Sequence, residues 1–278
     1  MRPRRYAEVD VFTDRPGHGN PLAVVLDAEG LDDAAMARLA RWTNLSETTF
    51  LFAPSDPAAD YRVRIWTPGG ELPFAGHPTL GSCHAWLAAG GTARGEEIVQ
   101  QCGVGLVRVR RNGDRLAFLA PPSRREPVDE ATLGRALGAL GLERAALRDA
   151  AWLDNGPRWL GLVLGDAAAV LALEPDHAAL KSQGIKVGVI GAHPAGSECA
   201  FEVRAFAAAI GIPEDPVTGS LNAGLAQWLT GSALAPPRYV AAQGTRLQRA
   251  GRVHVEWREG ALWVGGNSVG VVDGTLRW

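Results

Sequence analysis

Three side chains of the types that move protons stand in short motifs of this chain: Glu47, His77 and Asp215. Glu47 immediately precedes the uncharged stretch Thr48–Phe52, whose pattern predicts a strand. A carboxylate at this position points either to solvent or inward, and an inward carboxylate loses hydration, which favours its protonated form. An inward Glu47 would suit a general acid or base that works near neutral pH.

His77 and Asp215 each precede a proline where the sequence predicts the start of a helix. Residues 214–223 match residues 76–85 at an offset of 138 positions, about half of the 278-residue chain, which is typical of a duplication. The first backbone N–H groups of a helix are unpaired and carry partial positive charge. Two such helix starts therefore predict a site for a small anion.

Small residues accompany these polar residues in both motifs: Gly76, Ser82, Gly219 and Ser220. We expect them in the first turns of the two helices, where a small side chain lets a ligand reach the backbone. The alternative for each of them is an ordinary turn or close-packing role.

Other kinds of site fit the sequence less well. Asp215 and Ser220 are five residues apart across one helix start, which is a poor arrangement for a hydrolase triad with His77. His84 could share a helix face with His77, but no third metal ligand stands near them. Because there is no third ligand, we expect no metal. Because no dinucleotide-binding glycine motif and no P-loop is present, we expect no cofactor.

The composition sets broad limits on the partners. The net charge is −2, with 46% hydrophobic and 21% charged residues, which is typical of a soluble globular protein. The only basic run is Arg2-Pro3-Arg4-Arg5, so neither a nucleic-acid partner nor a membrane surface is predicted. The N-terminus lacks the apolar segment of a signal peptide, and we expect a cytoplasmic protein.

Strand and helix patterns recur in the same order in both halves of the chain. Each half is strand-rich with a helix after its middle strands, which predicts an α+β lobe built on a mostly antiparallel or mixed sheet. Residues 155–157 correspond to residues 19–21, and Arg204 stands opposite Arg64. A proline-rich segment places the boundary between an N-terminal lobe, 1–123, and a C-terminal lobe, 124–278, whose last residues could pack back on the first lobe.

Taken together, the motifs resemble the phenazine-biosynthesis isomerase (PhzF-like) family over nearly the whole chain. The motifs that carry the resemblance are Gly19-Asn20-Pro21-Leu22-Ala23, Asn44-Leu45-Ser46-Glu47-Thr48, Glu71-Leu72-Pro73-Phe74-Ala75-Gly76-His77-Pro78-Thr79 and Glu214-Asp215-Pro216-Val217-Thr218-Gly219-Ser220. The resemblance implies the diaminopimelate-epimerase-like fold, with two pseudo-symmetric lobes that each wrap a sheet around a central helix. It also implies a homodimer.

The resemblance also implies roles for individual residues. Glu47 matches the catalytic acid/base of the family. The residues that match its substrate site are His77, Asp215 and Ser220, with Gly76 and Gly219 beside them. Epimerase relatives carry two cysteines at the helix starts, and His77 and Asp215 stand at those places here, which disfavours a two-cysteine racemase.

The function that the resemblance implies is a cofactor-independent isomerase acting on a small carboxylate-bearing substrate. The family reaction isomerises trans-2,3-dihydro-3-hydroxyanthranilate by moving a proton between ring carbons. Two alternatives stay open: an epimerase or racemase of a modified amino acid, and a non-catalytic protein that binds a small anion in the same cleft.

Overall fold

A computed structural model describes residues 2–278, and its internal contacts divide the chain into two compact units. The first unit comprises the residues up to Leu119 together with Gly265–Trp278, and the second unit comprises Ala120–Val264. The sequence placed a single boundary after residue 123. The chain passes from the first unit to the second after Leu119 and returns to the first unit within the last strand.

The first unit contains most of the strands of the N-terminal half and two helices. Its strands are β1 (Pro3–Val11), β2 (Asn20–Val25), β3 (Thr48–Phe52), β4 (Tyr61–Thr67), β5 (Gly70–Leu72), β6 (Ile98–Cys102), β7 (Gly105–Asn112) and β8 (Arg115–Leu119). Its helices are α1 (Asp33–Thr43) and α2 (Gly76–Ala88). The helical spacing of Leu31, Met36, Leu39 and Ala40 predicts a helix over residues 31–42 that starts near Asp32 or Asp33. Helix α1 confirms this prediction, because it begins after its N-cap residue Asp32.

The second unit has the same mixture of strands and helices. Its strands are β9 (Arg124–Glu126), β10 (Leu147–Asp154), β11 (Arg158–Leu164), β12 (Val187–Ala192), β13 (Phe201–Ala207), β14 (Ile212–Asp215), β15 (Arg238–Gln243), β16 (Gly251–Arg258) and β17 (Ala261–Arg277), the last of which continues into the first unit. Its helices are α3 (Glu130–Leu140), α4 (Ala167–Leu171), α5 (His177–Gln183) and α6 (Gly219–Gly231).

The strands of the first unit close into a ring. Antiparallel pairs join β1 to β2, β3 to β4, β6 to β7, β7 to β8 and β1 to β17, and parallel pairs join β2 to β3 and β4 to β6. Because β8 also pairs with β17, the eight strands β1, β2, β3, β4, β6, β7, β8 and β17 form a closed barrel. The predicted α+β class with a mixed sheet is confirmed.

The first two turns of helix α2, residues 76–83, are buried, and the helix contacts β1, β2, β3, β6 and β8 of this barrel. Its sequence explains this position, because residues 76–88 contain no Asp, Glu, Lys or Arg, and a helix without a charged face can be buried all round. Small residues let the strands approach closely. A Cβ atom on Gly81 would lie 2.6 Å from Cδ2 of Leu22, so a larger residue does not fit there.

The second unit repeats the pairing order of the first. Strands β10 and β11 pair antiparallel, β11 and β12 parallel, β12 and β13 antiparallel, β13 and β14 antiparallel, β13 and β15 parallel, and β15 and β16 antiparallel. The same sequence of pairings runs from β1 to β7, with β5 in the place of β14. The duplication read from the sequence therefore has a counterpart in the strand topology.

The offset of 138 predicted for this duplication is wrong at the helix starts. Ile65 of β4 pairs with Leu72 of β5, and the corresponding strands pair Ala205 with Asp215. Helices α2 and α6 begin at Gly76 and Gly219, 143 positions apart. Asp215 is therefore the counterpart of Leu72, and Ser220 is the counterpart of His77. The false match arose because Gly81-Ser82, five residues after Gly76-His77, repeats the pair Gly219-Ser220 of the second unit.

A duplicated Arg–Glu pair ties corresponding strands together in each unit. The guanidinium of Arg64 on β4 donates two hydrogen bonds of 2.6 Å to the carboxylate of Glu71 on β5. Arg204 on β13 donates bonds of 2.9 and 2.8 Å to Glu214 on β14. The two pairs differ in burial, since the Arg204 side chain is 4% exposed and the Arg64 side chain is 25% exposed.

We therefore expect the two arginines to contribute very differently to stability. Arg204→Met leaves the buried Glu214 carboxylate unpaired and should lower the free energy of unfolding by about 3–5 kcal/mol. Arg64→Met removes more exposed ion pairs, with Glu71 and with Asp33, and should cost about 1 kcal/mol or less for each pair. Urea unfolding of both variants measures this difference, and equal losses would contradict it.

None of the helices within residues 2–278 is long and apolar enough to cross a membrane.

Candidate active site

The helix starts of this protein fall into two kinds. Helices α1, α3, α4 and α5 each begin after an aspartate whose carboxylate accepts a hydrogen bond from the N–H three residues later: Asp32, Asp129, Asp166 and Asp176. Among residues 2–278, helices α2 and α6 begin without any such side-chain cap. Their first N–H groups therefore remain available to a ligand, and the helix dipole favours an anion there.

His77 is the second residue of α2. Its place before a proline had predicted the cap position in front of the helix. The residue before the helix is Ala75, which has no polar side chain to offer as a cap. The imidazole is 3% exposed, and its Nδ1 lies 3.3 Å from Nδ2 of Asn20. Burial lowers the pKa of His77 to about 3, against the opposing effect of a hydrogen bond to the backbone of Pro21. The ring is therefore neutral at neutral pH.

Glu47 points inward, which decides between the two orientations that the sequence left open. Its side chain is 14% exposed, and its Oε2 lies 3.5 Å from Nε2 of His77. Because the imidazole is neutral, this contact is not an ion pair. A carboxylate in contact with a neutral imidazole can instead exchange or relay a proton, which is the chemistry of a general acid/base pair.

The strand topology of the first unit explains why these residues meet. Strands β2 and β3 run parallel, with Ala23 beside Thr48, so the residues just before them lie at one end of the sheet. Asn20 and Glu47 both lie at this end, and α2 packs on the same two strands. Gly19 fixes the turn before Asn20, because a Cβ atom there would lie 2.2 Å from the carbonyl oxygen of Val11.

Asp215 does not begin a helix either; it is the last residue of β14. Its carboxylate is buried, and Oδ2 accepts a hydrogen bond of 2.6 Å from Oγ1 of Thr218, the residue before α6. The side chain of Gln243 in turn donates to the backbone oxygen of Asp215 at 3.1 Å and to Oγ1 of Thr218 at 2.9 Å. A polar network thus holds the segment between β14 and α6.

Ser220, the second residue of α6, is held by Asn155 in the turn between β10 and β11 and by Trp159 on β11. Nδ2 of Asn155 donates to the Ser220 carbonyl at 2.8 Å, and Nε1 of Trp159 donates to Oγ at 3.3 Å. Asn20 also contacts the second residue of its helix, although through a different atom, because its Nδ2 lies beside the ring nitrogen Nδ1 of His77. The predicted correspondence of residues 155–157 with residues 19–21 is thereby supported at the level of contacts.

The remaining predicted site residues divide between helix starts and core. Gly76 and Gly219 are the first residues of α2 and α6, as the sequence predicted. Ser82 lies in the second turn of α2 and not in its first turn. It has no exposed surface, and its hydroxyl donates to Oγ1 of Thr49 at 2.9 Å. We therefore assign Ser82 a packing role in place of the predicted substrate contact.

Each unit thus holds its own group of candidate residues. The first unit brings together Glu47 and His77, with Gly76 beside them. The second unit brings together Asp215 and the start of α6, with Gly219 and Ser220. Within residues 2–278 no group of three His, Cys, Asp or Glu side chains forms a metal-ligating cluster.

Sequence reasoning missed the amide and hydroxyl side chains that hold these groups in place: Asn20, Asn155, Thr218, Asn222 and Gln243. One signal could have found the last of them. Gln243 is 143 positions after Gln100, and both are buried on corresponding strands. At the incorrect offset of 138 this identity is hidden.

Solved structures define the class of fold. The phenazine biosynthesis protein of the PhzF family from Bacillus anthracis superposes with a TM-score of 0.85 at 22% identity, covering 100% of both chains. A hydroxyproline epimerase from Agrobacterium vitis superposes with a TM-score of 0.67 at 13% identity, covering 99% of this chain and 93% of that chain. The protein therefore has the mixed, sheet-rich α+β fold that PhzF proteins share with epimerases.

Sequence relatives define the family within this class. The family model "PhzC-PhzF: Phenazine biosynthesis-like protein" matches residues 9–274. The chain is 36% identical over 295 residues to "Antisense-enhancing sequence 1" of Schizosaccharomyces pombe, covering 99% of each. It is 33% identical over 285 residues to trans-2,3-dihydro-3-hydroxyanthranilate isomerase of Pseudomonas aeruginosa, covering 97% of this chain and 98% of the relative. The chain belongs to the phenazine biosynthesis-like PhzC-PhzF family, which confirms the resemblance drawn from the motifs.

The buried, neutral His77 predicts a specific loss of stability in acid. Its pKa of about 3 in the folded state lies below the ordinary value of 6.5, so between these pH values the unfolded chain binds a proton that the folded chain does not. The free energy of unfolding should therefore fall with decreasing pH, by roughly 1 kcal/mol per pH unit from this group.

Urea unfolding at pH 7.5 and pH 5 measures this effect. His77→Gln should lose less stability than the wild-type protein over this interval. The ¹⁵N shifts of the His77 ring should meanwhile show a neutral imidazole at pH 5. A His77 that titrates near 6.5, with the same pH dependence in both proteins, would contradict the assignment.

Proposed function

We propose that this protein is a cofactor-independent isomerase that moves a proton on a small carboxylate-bearing substrate by general acid/base catalysis. The Pseudomonas aeruginosa relative is named for such a substrate, trans-2,3-dihydro-3-hydroxyanthranilate. In the proposal Glu47 is the catalytic acid/base, and His77 and Asp215 assist. We further propose that the protein acts as a cytoplasmic homodimer and needs neither a metal nor a nucleic-acid or membrane partner.

The observation that carries this proposal is the Glu47–His77 contact at the start of α2. A protein that only bound an anion would gain nothing from a carboxylate there, because like charges repel. Glu47 nonetheless points inward, with 3.5 Å between its Oε2 and Nε2 of His77. A group that takes a proton from one carbon and returns it to another accounts for a carboxylate in this position.

The uncapped helix starts support the assignment of a carboxylate-bearing substrate. We assign carboxylate binding to an open helix start. The candidates are the backbone N–H groups of Gly219 and Ser220 with the Ser220 hydroxyl in the second unit, and the N–H of Gly76 in the first unit. A substrate carboxylate would provide the negative charge that an aspartate provides at the other helix starts. Fixing the carboxylate would also place the reacting carbons at a constant distance from the acid/base.

The neutral imidazole of His77 suits an assisting role. A neutral imidazole has one nitrogen that donates and one that accepts, so it can relay a proton or orient the carboxyl of Glu47. The pKa lowered by burial keeps the ring in this form across the physiological range. Asp215, held through its Oδ2 by Thr218, is proposed to orient the substrate or assist the transfer.

A two-cysteine epimerase is disfavoured by the residues at the helix starts, whereas an epimerase that uses Glu47 with His77 or Asp215 stays an alternative. Neither Ala75-Gly76-His77 nor Thr218-Gly219-Ser220 provides a thiol. Cys83, the cysteine of α2, lies two turns into the helix and has no exposed surface. A racemase that uses one thiol on each side of a carbon atom has no candidate pair here. Retention of optical activity during turnover would separate the isomerase from an epimerase.

Replacing Glu47 tests the proposal directly. With trans-2,3-dihydro-3-hydroxyanthranilate in deuterated water, the wild-type protein should change the ultraviolet absorption of the substrate and introduce solvent deuterium into it. Glu47→Gln preserves the shape of the side chain but cannot accept a proton. It should therefore lower both rates by about 10²–10⁴-fold, which is the usual contribution of a general acid/base.

A matched control is Glu29→Gln, which alters an exposed glutamate of the same unit. This variant should keep the wild-type rates, and both variants should keep the wild-type melting temperature to within a few degrees. Undiminished deuterium incorporation by a folded Glu47→Gln protein would remove Glu47 from the mechanism. Tight binding of the substrate by the wild-type protein without any exchange would favour the binding-protein alternative.

A further inference from the structure

Thr218 stands at the N-cap position of α6 but uses its hydroxyl for another purpose. Threonine is a good N-cap residue, and the backbone of Thr218 is extended, with φ −114° and ψ 98°, as a cap requires. Its side chain nevertheless makes no capping hydrogen bond. The hydroxyl instead donates to Oδ2 of Asp215 at 2.6 Å. Thr218 thus leaves the start of α6 without a side-chain cap and binds the carboxylate of Asp215 instead.

The direction of this hydrogen bond follows from Gln243, whose amide is fixed by two backbone groups. The N–H of Thr218 can only donate, so the side-chain oxygen Oε1 of Gln243 must face it, at 3.0 Å. The backbone oxygen of Asp215 can only accept, so the side-chain nitrogen Nε2 must face it, at 3.1 Å. This same nitrogen donates to Oγ1 of Thr218 at 2.9 Å, which leaves the hydroxyl proton directed at Asp215.

The amide of Gln243 has no spare hydrogen-bonding capacity. Its oxygen also accepts from Nδ2 of Asn222 at 2.9 Å, so both lone pairs and both N–H groups are used. Gln243 is 1% exposed, and a buried network with every member satisfied is rigid. Asn222 donates in addition to the Thr218 carbonyl at 2.9 Å, which ties the first turn of α6 to the same network.

We propose that Thr218 and Gln243 are positioning residues that fix the Asp215 carboxylate in its ionised form and in one orientation. Both residues act through Asp215. The expected effect on kcat rests on the function proposed above, whereas the expected effect on the titration of Asp215 does not. A donated hydrogen bond stabilises a carboxylate over a carboxylic acid, and the fixed proton direction makes Oδ2 an acceptor. The neighbouring charge on β14, Glu214, is already paired with Arg204 and lies outside this network.

The first unit offers a natural control for this network. Gln100 occupies the position corresponding to Gln243 and is equally buried. Its amide bonds to the Tyr61 hydroxyl at 3.0 Å and to Oγ1 of Thr79 at 3.1 Å, and the Thr79 hydroxyl donates to the Ala75 carbonyl. The first unit therefore has the same glutamine–threonine bond with no carboxylate at its end.

Titration of Asp215 tests the proposal without any substrate. The carboxyl ¹³C signal of Asp215, assigned with Asp215→Asn, is followed against pH in the wild-type protein, Thr218→Val, Thr218→Ser and Thr79→Val. Thr218→Val keeps the shape but removes the donor, so the midpoint should rise by about one pH unit. Thr218→Ser keeps the hydroxyl and should restore the wild-type midpoint. Thr79→Val loses a comparable buried hydroxyl and should leave the midpoint unchanged.

The kinetic test uses the same variants with trans-2,3-dihydro-3-hydroxyanthranilate. Thr218→Val should lower kcat by about tenfold or more with little change in KM, and Thr218→Ser should recover most of the loss. Gln243→Leu should act like Thr218→Val on the Asp215 midpoint, whereas Gln100→Leu should not move it. An Asp215 midpoint that is equal in Thr218→Val, Thr218→Ser and the wild-type protein would overturn the proposal.

The two proposals fail in distinguishable ways. If the wild-type protein does not turn over this substrate but Asp215 titrates as expected, the proposed function is wrong and the positioning network stands. If turnover is normal in folded Thr218→Val and the midpoint does not move, the network has no positioning role, while the isomerase assignment stands.

Discussion

The main physical constraint in this structure is the burial of the first turns of helices α2 and α6 without side-chain caps. A buried N–H group without a partner is costly, by about 1–3 kcal/mol, so natural helix starts are normally satisfied by a side chain or by water. Four helices of this protein follow that rule with an aspartate. Helices α2 and α6 depart from it, one through Ala75 and the other through the diverted hydroxyl of Thr218. Such departures from a local rule are expected at functional sites.

Duplication provides the scaffold, and the functional differences lie in a few side chains. Both units use the same strand pairings, the same Arg–Glu pair between corresponding strands and an asparagine that reaches the second residue of the buried helix. On this scaffold His77 corresponds to Ser220, and Leu72 corresponds to Asp215. One unit therefore offers a neutral imidazole beside Glu47, and the other offers a fixed carboxylate beside a serine.

The sequence revealed those parts of this arrangement that show in local composition. Glu47 and His77 were found because each is polar within an uncharged, apolar segment, and α1 was found from its spacing and its aspartate cap. The expected first-turn position of Ser82 and the match of His77 with Asp215 were wrong, because small residues recur along these helices and the two starts also align at an offset that differs by five residues. The role of Thr218 does not show in local composition, because its hydrogen bonds to Gln243 join residues 25 positions apart. Gln243 shows in the sequence through its repetition of Gln100 at an offset of 143, which the incorrect offset of 138 hid.

Titration with a carboxylate shows whether the open starts of helices α2 and α6 bind an anion. Amide ¹H–¹⁵N spectra of the labelled protein, recorded as anthranilate is added, report on every helix start at once. We expect the amide signals at an open helix start, those of Gly76 and His77 or those of Gly219 and Ser220, to shift, whereas those of Ala35 and Thr132, which already bond to aspartate caps, stay in place. Saturable shifts elsewhere, with these four amides unmoved, would contradict it.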